Sequence, residues 1–169
     1  LLEAFGEAFS KADDVTLVIK TFPNPHHDIA GMIGQWRKRF PAAPKLVVIN
    51  RDLTEGGVRA LYQQCHLLVA PSRGEGFGLP MAEAMLHRLP VVTTGYGGKN
   101  DFCTEETAWL INYRFAYATT HMALSDSVWV EPDQAHLQEL LLKLYRAFGS
   151  PAWHELVAGK TDTAFARVS

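Results

Sequence analysis

Glu75 and Glu83 stand eight positions apart in a run that also carries glycines at 74, 76 and 78 and a proline at 80: Pro71-Ser72-Arg73-Gly74-Glu75-Gly76-Phe77-Gly78-Leu79-Pro80-Met81-Ala82-Glu83-Ala84. These residue types at this spacing suit an anionic, hydroxyl-rich ligand. Glycines permit backbone conformations closed to other residues and let a ligand approach the main chain closely. Pro80 fits the first turn of a helix, where its absent N–H is not missed. The free N–H groups of that turn, at the positive end of the helix dipole, form a local site for phosphate. A carboxylate repels phosphate, so Glu83, about one turn into the helix, is read as accepting hydrogen bonds from a pair of sugar hydroxyls. Glu75, in the loop, faces the group beyond the diphosphate. The plain alternative, two solvated surface glutamates, is disfavoured by the glycines and the proline around them.

Such a loop needs a strand before it and a helix after it, and the pattern supplies both. Residues 67–70 read as a strand and residues 79–87 as a helix. The same alternation runs through the chain. Helical spacing appears in residues 1–12 through Leu2, Phe5 and Phe9, and in residues 28–40 through Ile29, Ile33, Trp36 and Phe40, with Asp28 as N-cap. Thr54 caps a helix carrying Val58, Leu61 and Tyr62, and residues 133–148 form a helix with Leu137, Leu140, Leu141 and Leu144 in register. Short apolar strands are read at 15–19, 45–49, 91–93 and 108–111. Alternating strands and helices imply βαβ units and a doubly wound, Rossmann-like α/β domain with a parallel sheet over residues 1–150, followed by a helix or tail at 151–169. Ligands in such sheets bind beyond the strands' carboxyl ends. Lys20 and Arg51 stand at the ends of the first two strands, hence at the cleft edge. Gly95, Gly97, Gly98 and Lys99 follow another strand and read equally as ligand contacts or as an ordinary turn. Residues 113–127 read as a loop, with Trp109, Tyr113, Phe115 and Tyr117 as packing residues, and residues 161–169 read as a frayed end.

Bulk properties narrow the function. The chain has 169 residues with 16 basic and 18 acidic side chains, a formal net charge of −2, so it lacks the broad positive field of a nucleic-acid binder. Cys65 and Cys103 show neither a disulfide framework nor zinc spacing, which suits a reduced, cytoplasmic setting. The Pro25-His26-His27-Asp28 cluster is read as a capping loop and not a metal site. No apolar run approaches the roughly 20 residues that span a bilayer. The chain opens without methionine in helical rhythm, as expected of a piece cut from a longer protein.

The run EGFGLPMAEAM resembles the Glu-x7-Glu motif of family-four (group 1) retaining glycosyltransferases with the two-domain GT-B fold. The Pro71-Ser72-Arg73 lead-in, Leu89-Pro90-Val91-Val92 and the Gly97-Gly98 loop are similar as well, over residues 1–148. The resemblance implies a C-terminal domain that binds a nucleotide-sugar donor. Glu75 would lie beside the transferred sugar as the catalytic-site glutamate, Glu83 would hold the ribose, and main-chain amides of Gly76, Phe77, Gly78 and Leu79 would hold the diphosphate. Members often have glycine where Arg88 stands, so the helix end there is expected to differ or be strained. The family's basic diphosphate clamp comes from a loop upstream of Leu1, leaving Lys20 or Arg51 as substitutes. The expected activity is retaining transfer of a sugar to an acceptor hydroxyl without metal or cofactor, in polysaccharide biosynthesis. The carbohydrate, lipid-linked or protein acceptor would bind a facing N-terminal domain absent from these residues, which could also make the protein peripheral to a membrane. This piece alone would bind donor without catalysis. A nucleotide-sugar epimerase of the same architecture and a non-catalytic nucleotide-sugar-binding module are the rival readings.

Overall fold

The computed structural model describes residues 1–24, 28–118 and 127–169, and the chain divides into two compact units, Leu1–Arg59 and Ala60–Ser169. Pro25, His26 and His27 lie outside the described residues.

In the first unit, helix α1 (Leu2–Ala8) and helix α2 (Ile29–Arg39) accompany strands β1 (Thr16–Thr21) and β2 (Lys45–Asn50), which pair in parallel from Thr16 opposite Lys45 to Thr21 opposite Asn50. The aromatic spacing read from the sequence becomes one cluster. Phe5, Phe9 and Trp36 are buried, and Trp36 lies 6.4 Å from Phe5 and 6.0 Å from Phe40. Burial of an indole calls for a partner for its N–H, and Trp36 Nε1 donates to the Leu2 carbonyl at 2.7 Å. Asp28 caps α2 as expected, accepting from the Gly31 amide at 2.8 Å. Helix α3 (Glu55–Gln64), whose Gly57 amide donates to Thr54 Oγ1 at 3.2 Å, contains the boundary between the units.

The second unit is built on β3 (Leu68–Ala70), β4 (Val91–Thr94) and β5 (Trp109–Ile111), parallel in the order β3-β4-β5. All four residues of β4 are buried, as befits a central strand covered on both faces. Helix α4 (Leu79–Leu86) connects β3 to β4. Its Met81, Ala84 and Met85 join Leu89, Val91, Phe102, Cys103, Ala108 and Ala164 in the core. Burial pushes the Cys103 thiol up to about 11. Helices α5 (Gln134–Ala147) and α6 (Pro151–Val168) complete the unit, with Asp133 capping α5 through the His136 amide at 3.0 Å.

Two expectations need correction. Residues 161–169 are not frayed: α6 runs unbroken to Val168, because Val157, Thr161 and Ala164 recur at helical spacing and are buried. The region read as a loop contains strand β6 (Tyr113–Tyr117), which pairs antiparallel with β7 (Val128–Pro132); residues 119–126 lie outside the described residues. Within it Tyr113, Phe115 and Tyr117 alternate along one face and are exposed, whereas Trp109 is buried. Only Trp109 of these four packs in the core. An outward row of aromatics breaks the usual association of alternation with apolar residues turned inward, which is why the strand was not read.

The end of α4 answers the question posed by Arg88. Its φ is 55°, the left-handed region usually given to glycine, and the Leu89 amide reaches the Ala84 carbonyl at 2.9 Å while the Arg88 amide reaches Met85 at 2.9 Å. These two bonds form the Schellman closure, with arginine in the glycine position. The Arg88 guanidinium pairs with the Asp162 carboxylate on α6 and lies 4.5 Å from the Phe165 ring centroid.

Candidate functional site

The carboxyl ends of β3 and β4 each lead into a glycine loop, and the two loops meet backbone to backbone. The Gly98 amide donates to the Glu75 carbonyl at 3.3 Å. A Cβ on Gly98 would lie 2.2 Å from the Gly76 carbonyl oxygen, and one on Gly97, whose φ is 107°, would lie 2.8 Å from the Glu75 carbonyl oxygen. Gly78 is the N-cap of α4 with a left-handed φ of 84°, and Pro80 occupies the first turn as the sequence predicts. No side chain caps this helix start; Pro80 has no N–H and the Met81 amide donates to the Gly78 carbonyl at 3.0 Å, which leaves the Leu79 amide as the first-turn donor open to a ligand.

The three loop glycines separate on inspection of their surroundings. Gly74 and Gly76 hold φ values open to any residue and have nothing within 4 Å of a would-be Cβ; only Gly78 uses glycine's freedom. At Gly76 what matters is the carbonyl, which receives the close approach of Gly98.

Around this main-chain surface the structure gathers Glu75, Gly76, Phe77, Gly78, Leu79 and Glu83. Glu75 is half-buried and Glu83 exposed. Phe77 and Leu79 are 60% and 62% exposed, and the Phe77 ring lies 5.2 Å from Phe102. Glu83 has an aid that the sequence reading placed on a helix and gave no role: Tyr62 Oη donates to Glu83 Oε2 at 3.0 Å, with the Tyr62 ring stacked 5.7 Å from His87. Burial, and then the Glu83 carboxylate, hold the Tyr62 hydroxyl well above its ordinary pKa, so it stays a donor. One Glu83 oxygen is thereby engaged and the other left for a ligand. Tyr62→Phe should loosen that carboxylate and weaken binding of a ribose-bearing ligand about threefold to tenfold, measured by titration, with little loss of stability.

Arg73 anchors the lead-in. It grips the Glu131 carboxylate through Nε at 2.8 Å and Nη2 at 2.9 Å, lies 4.6 Å over the Trp129 ring, and accepts the Val130 amide on its carbonyl at 3.2 Å. The guanidinium's hydrogen bonds hold the Glu131 carboxyl below its usual range. The β6–β7 hairpin is thus bolted to the segment that launches the glycine loop. Lys99, in the turn Gly98–Asp101, is fully buried, and its ammonium donates to the Tyr96 carbonyl. Near the ends of β3 and β4, Ser72 Oγ and Thr94 Oγ1 are buried with no hydrogen-bond partner among the described residues.

Lys20 and Arg51 belong to the first unit, at the carboxyl ends of β1 and β2, and both are exposed. Lys20 Nζ donates to the Thr21 carbonyl at 2.9 Å. A cavity of about 560 Å³ in this unit is bounded by Thr16, Trp36, Pro44 and Lys45, at the strands' amino ends, the edge away from these two residues.

Comparison with known proteins agrees with this architecture. Residues 1–124 match the family model described as "Glycosyl transferases group 1". No curated protein matches the chain. Among solved structures, Alr3699/HepE of Anabaena in complex with UDP-glucose superposes with a TM-score of 0.71 at 17% identity, covering 100% of this chain and 39% of that one. The same protein with UDP and glucose gives a TM-score of 0.73 at 16% identity over 99% of this chain and 38% of that one. The C-terminal domain of the group 1 glycosyltransferase LpcC from Francisella tularensis gives 0.64 at 14% identity, covering 99% of this chain and 90% of that domain. The chain thus spans less than two-fifths of the length of HepE. No helix of the described residues is long and apolar enough to cross a membrane. With the family matched over most of its length and the fold shared with a C-terminal domain, the chain belongs to the group 1 glycosyltransferases and has the Rossmann-like α/β fold of one half of their GT-B architecture.

Proposed function

We propose that this chain supplies the donor site of a retaining glycosyltransferase, which moves a sugar from a nucleoside-diphosphate sugar to an acceptor hydroxyl. The observation that carries the reading is the meeting of the two glycine loops at the uncapped start of α4, flanked by Glu75 on one side and Glu83 on the other. Main-chain amides of Gly76, Phe77, Gly78 and Leu79 receive the diphosphate, Glu83 takes the ribose hydroxyls on its unengaged oxygen, and Glu75 lies beside the sugar. Fixed amides aimed at the departing diphosphate oppose its growing negative charge, the main source of rate in such a site. Main-chain amides carry the charge in this scheme, so it calls for no metal or further cofactor. The acceptor, whether carbohydrate, lipid-linked or protein, is bound elsewhere in the enzyme, in polysaccharide biosynthesis on the cytoplasmic side. The UDP and UDP-glucose complexes of HepE support a nucleotide-sugar ligand.

Calorimetric titration of the chain with UDP, GDP and ADP tests the reading. One diphosphate should bind saturably, and Glu83→Ala should weaken it about tenfold or more through the lost charged hydrogen bond. Failure of all three to bind, or a Glu83→Ala variant that binds as tightly as the wild type, would sink the proposal.

A further inference from the structure

Lys99 is an unusual residue to find with no exposed surface. Charged side chains are rarely buried unless paired, because removing an ammonium from water is costly. Yet its ammonium bonds only the Tyr96 carbonyl, and among the described residues no carboxylate lies within ion-pair distance of it. The position explains what the charge is for. A Cβ on Gly78 would touch Lys99 Cβ at 3.0 Å and Lys99 Cδ at 3.6 Å, and one on Gly97 would lie 3.7 Å from Lys99 Nζ. The side chain therefore runs from beneath the N-cap of α4 to the second glycine loop, directly under the main chain that the donor-site reading gives to the diphosphate.

We infer that Lys99 is the buried countercharge of the diphosphate site: a positioning residue that makes no direct contact with the ligand but raises the positive potential at the glycine-loop amides. The inference rests on the donor-site reading. The ligand it favours is a polyanion of the diphosphate class, since a fixed cation under a patch of amides attracts in proportion to ligand charge and is little screened when buried. Until the anion arrives the charge is poorly compensated, and burial pulls the Lys99 pKa down; Cys103 in the same segment and the Glu75 carboxylate in the facing loop are the titratable groups that oppose this.

A residue kept for such a purpose at the expense of the fold has a signature that a structural lysine lacks. Lys99→Met keeps the length of the stem and removes the charge, and such replacement is often neutral or stabilising. The variant should unfold at the same or a higher temperature than the wild type while binding UDP, GDP or ADP, whichever the wild type selects, about tenfold to thirtyfold more weakly. Affinity for the corresponding nucleoside should not change, and Lys99→Arg should restore part of the diphosphate affinity. Wild-type affinity for the diphosphate should fall as pH rises through the lowered lysine pKa, a dependence that Lys99→Met lacks. Equal loss of nucleoside and diphosphate binding, or diphosphate binding as tight as the wild type, would overturn the assignment. If the wild type binds no diphosphate, the donor-site reading fails, and this inference with it.

Discussion

Gly98→Ala is expected to destabilise the second unit by about 1–3 kcal/mol and to abolish measurable diphosphate binding. The added methyl would have to sit 2.2 Å from the Gly76 carbonyl oxygen, and the obstacle is backbone, which cannot turn aside as a side-chain end can. The strain can be relieved only by parting the two loops, which breaks the bond from the Gly98 amide to Glu75 and moves the Gly76 carbonyl. Gly74→Ala is the internal control. It has nothing within 4 Å of the new atom and an ordinary φ, so it should be neutral or stabilise by a few tenths of a kcal/mol through the unfolded chain. Denaturant titration alongside calorimetry separates the two effects. A Gly98→Ala protein with wild-type stability and wild-type binding would mean that the loops do not lie against each other in this way.

Met81→Ala should cost about 2–5 kcal/mol. Met81 is 1% exposed, and its terminal methyl would lie 3.0 Å from a Cβ on Gly78, so it fills the space under the start of α4 as well as the core. Deleting it removes transfer free energy and leaves a cavity where the helix N-terminus is held. Leu79 and Leu86 lie on the same short helix at 62% and 44% exposure, and their alanine variants should stay within about 0.5 kcal/mol of the wild type. The contrast tests burial with helix propensity nearly constant. The midpoint should shift for Met81→Ala with an unchanged denaturant slope, and equal effects at all three positions would refute the assigned inner face.

Much of this was legible from residue types. The strands before the two glycine loops could be read because buried parallel strands are short apolar runs, and the motif helix because Pro80 and the apolar residues after it leave few alternatives. The caps at Asp28 and Thr54 were equally readable, since a side-chain oxygen at a helix start satisfies a definite amide. What escaped depended on contacts distant in sequence. Tyr62 looks like any apolar-face residue of α3 until the fold brings it beside Glu83, 21 positions along the chain. Lys99 reads equally as a ligand contact or an ordinary turn residue, because nothing local tells that its stem runs under Gly78. The glycines of the motif look alike in sequence, yet only the partner loop decides that Gly98 is intolerant of a methyl and Gly74 is not. The β6 strand was hidden by aromatics turned outward, and the last turns of α6 by the weak periodicity of the helix.

The left-handed Arg88 makes the value of one residue depend on another far along the chain. A non-glycine residue in that conformation costs about 1 kcal/mol, and here the cost is set against the Asp162 carboxylate and the Phe165 ring, both on α6. With those partners in place, exchange of Arg88 for glycine relieves the backbone and forfeits the contacts, nearly a draw. Without them the same exchange is a pure gain. Position 88 and helix α6 are therefore energetically coupled: how much Arg88→Gly gains is set by whether Asp162 and Phe165 are in place, so the three residues behave as one unit of change.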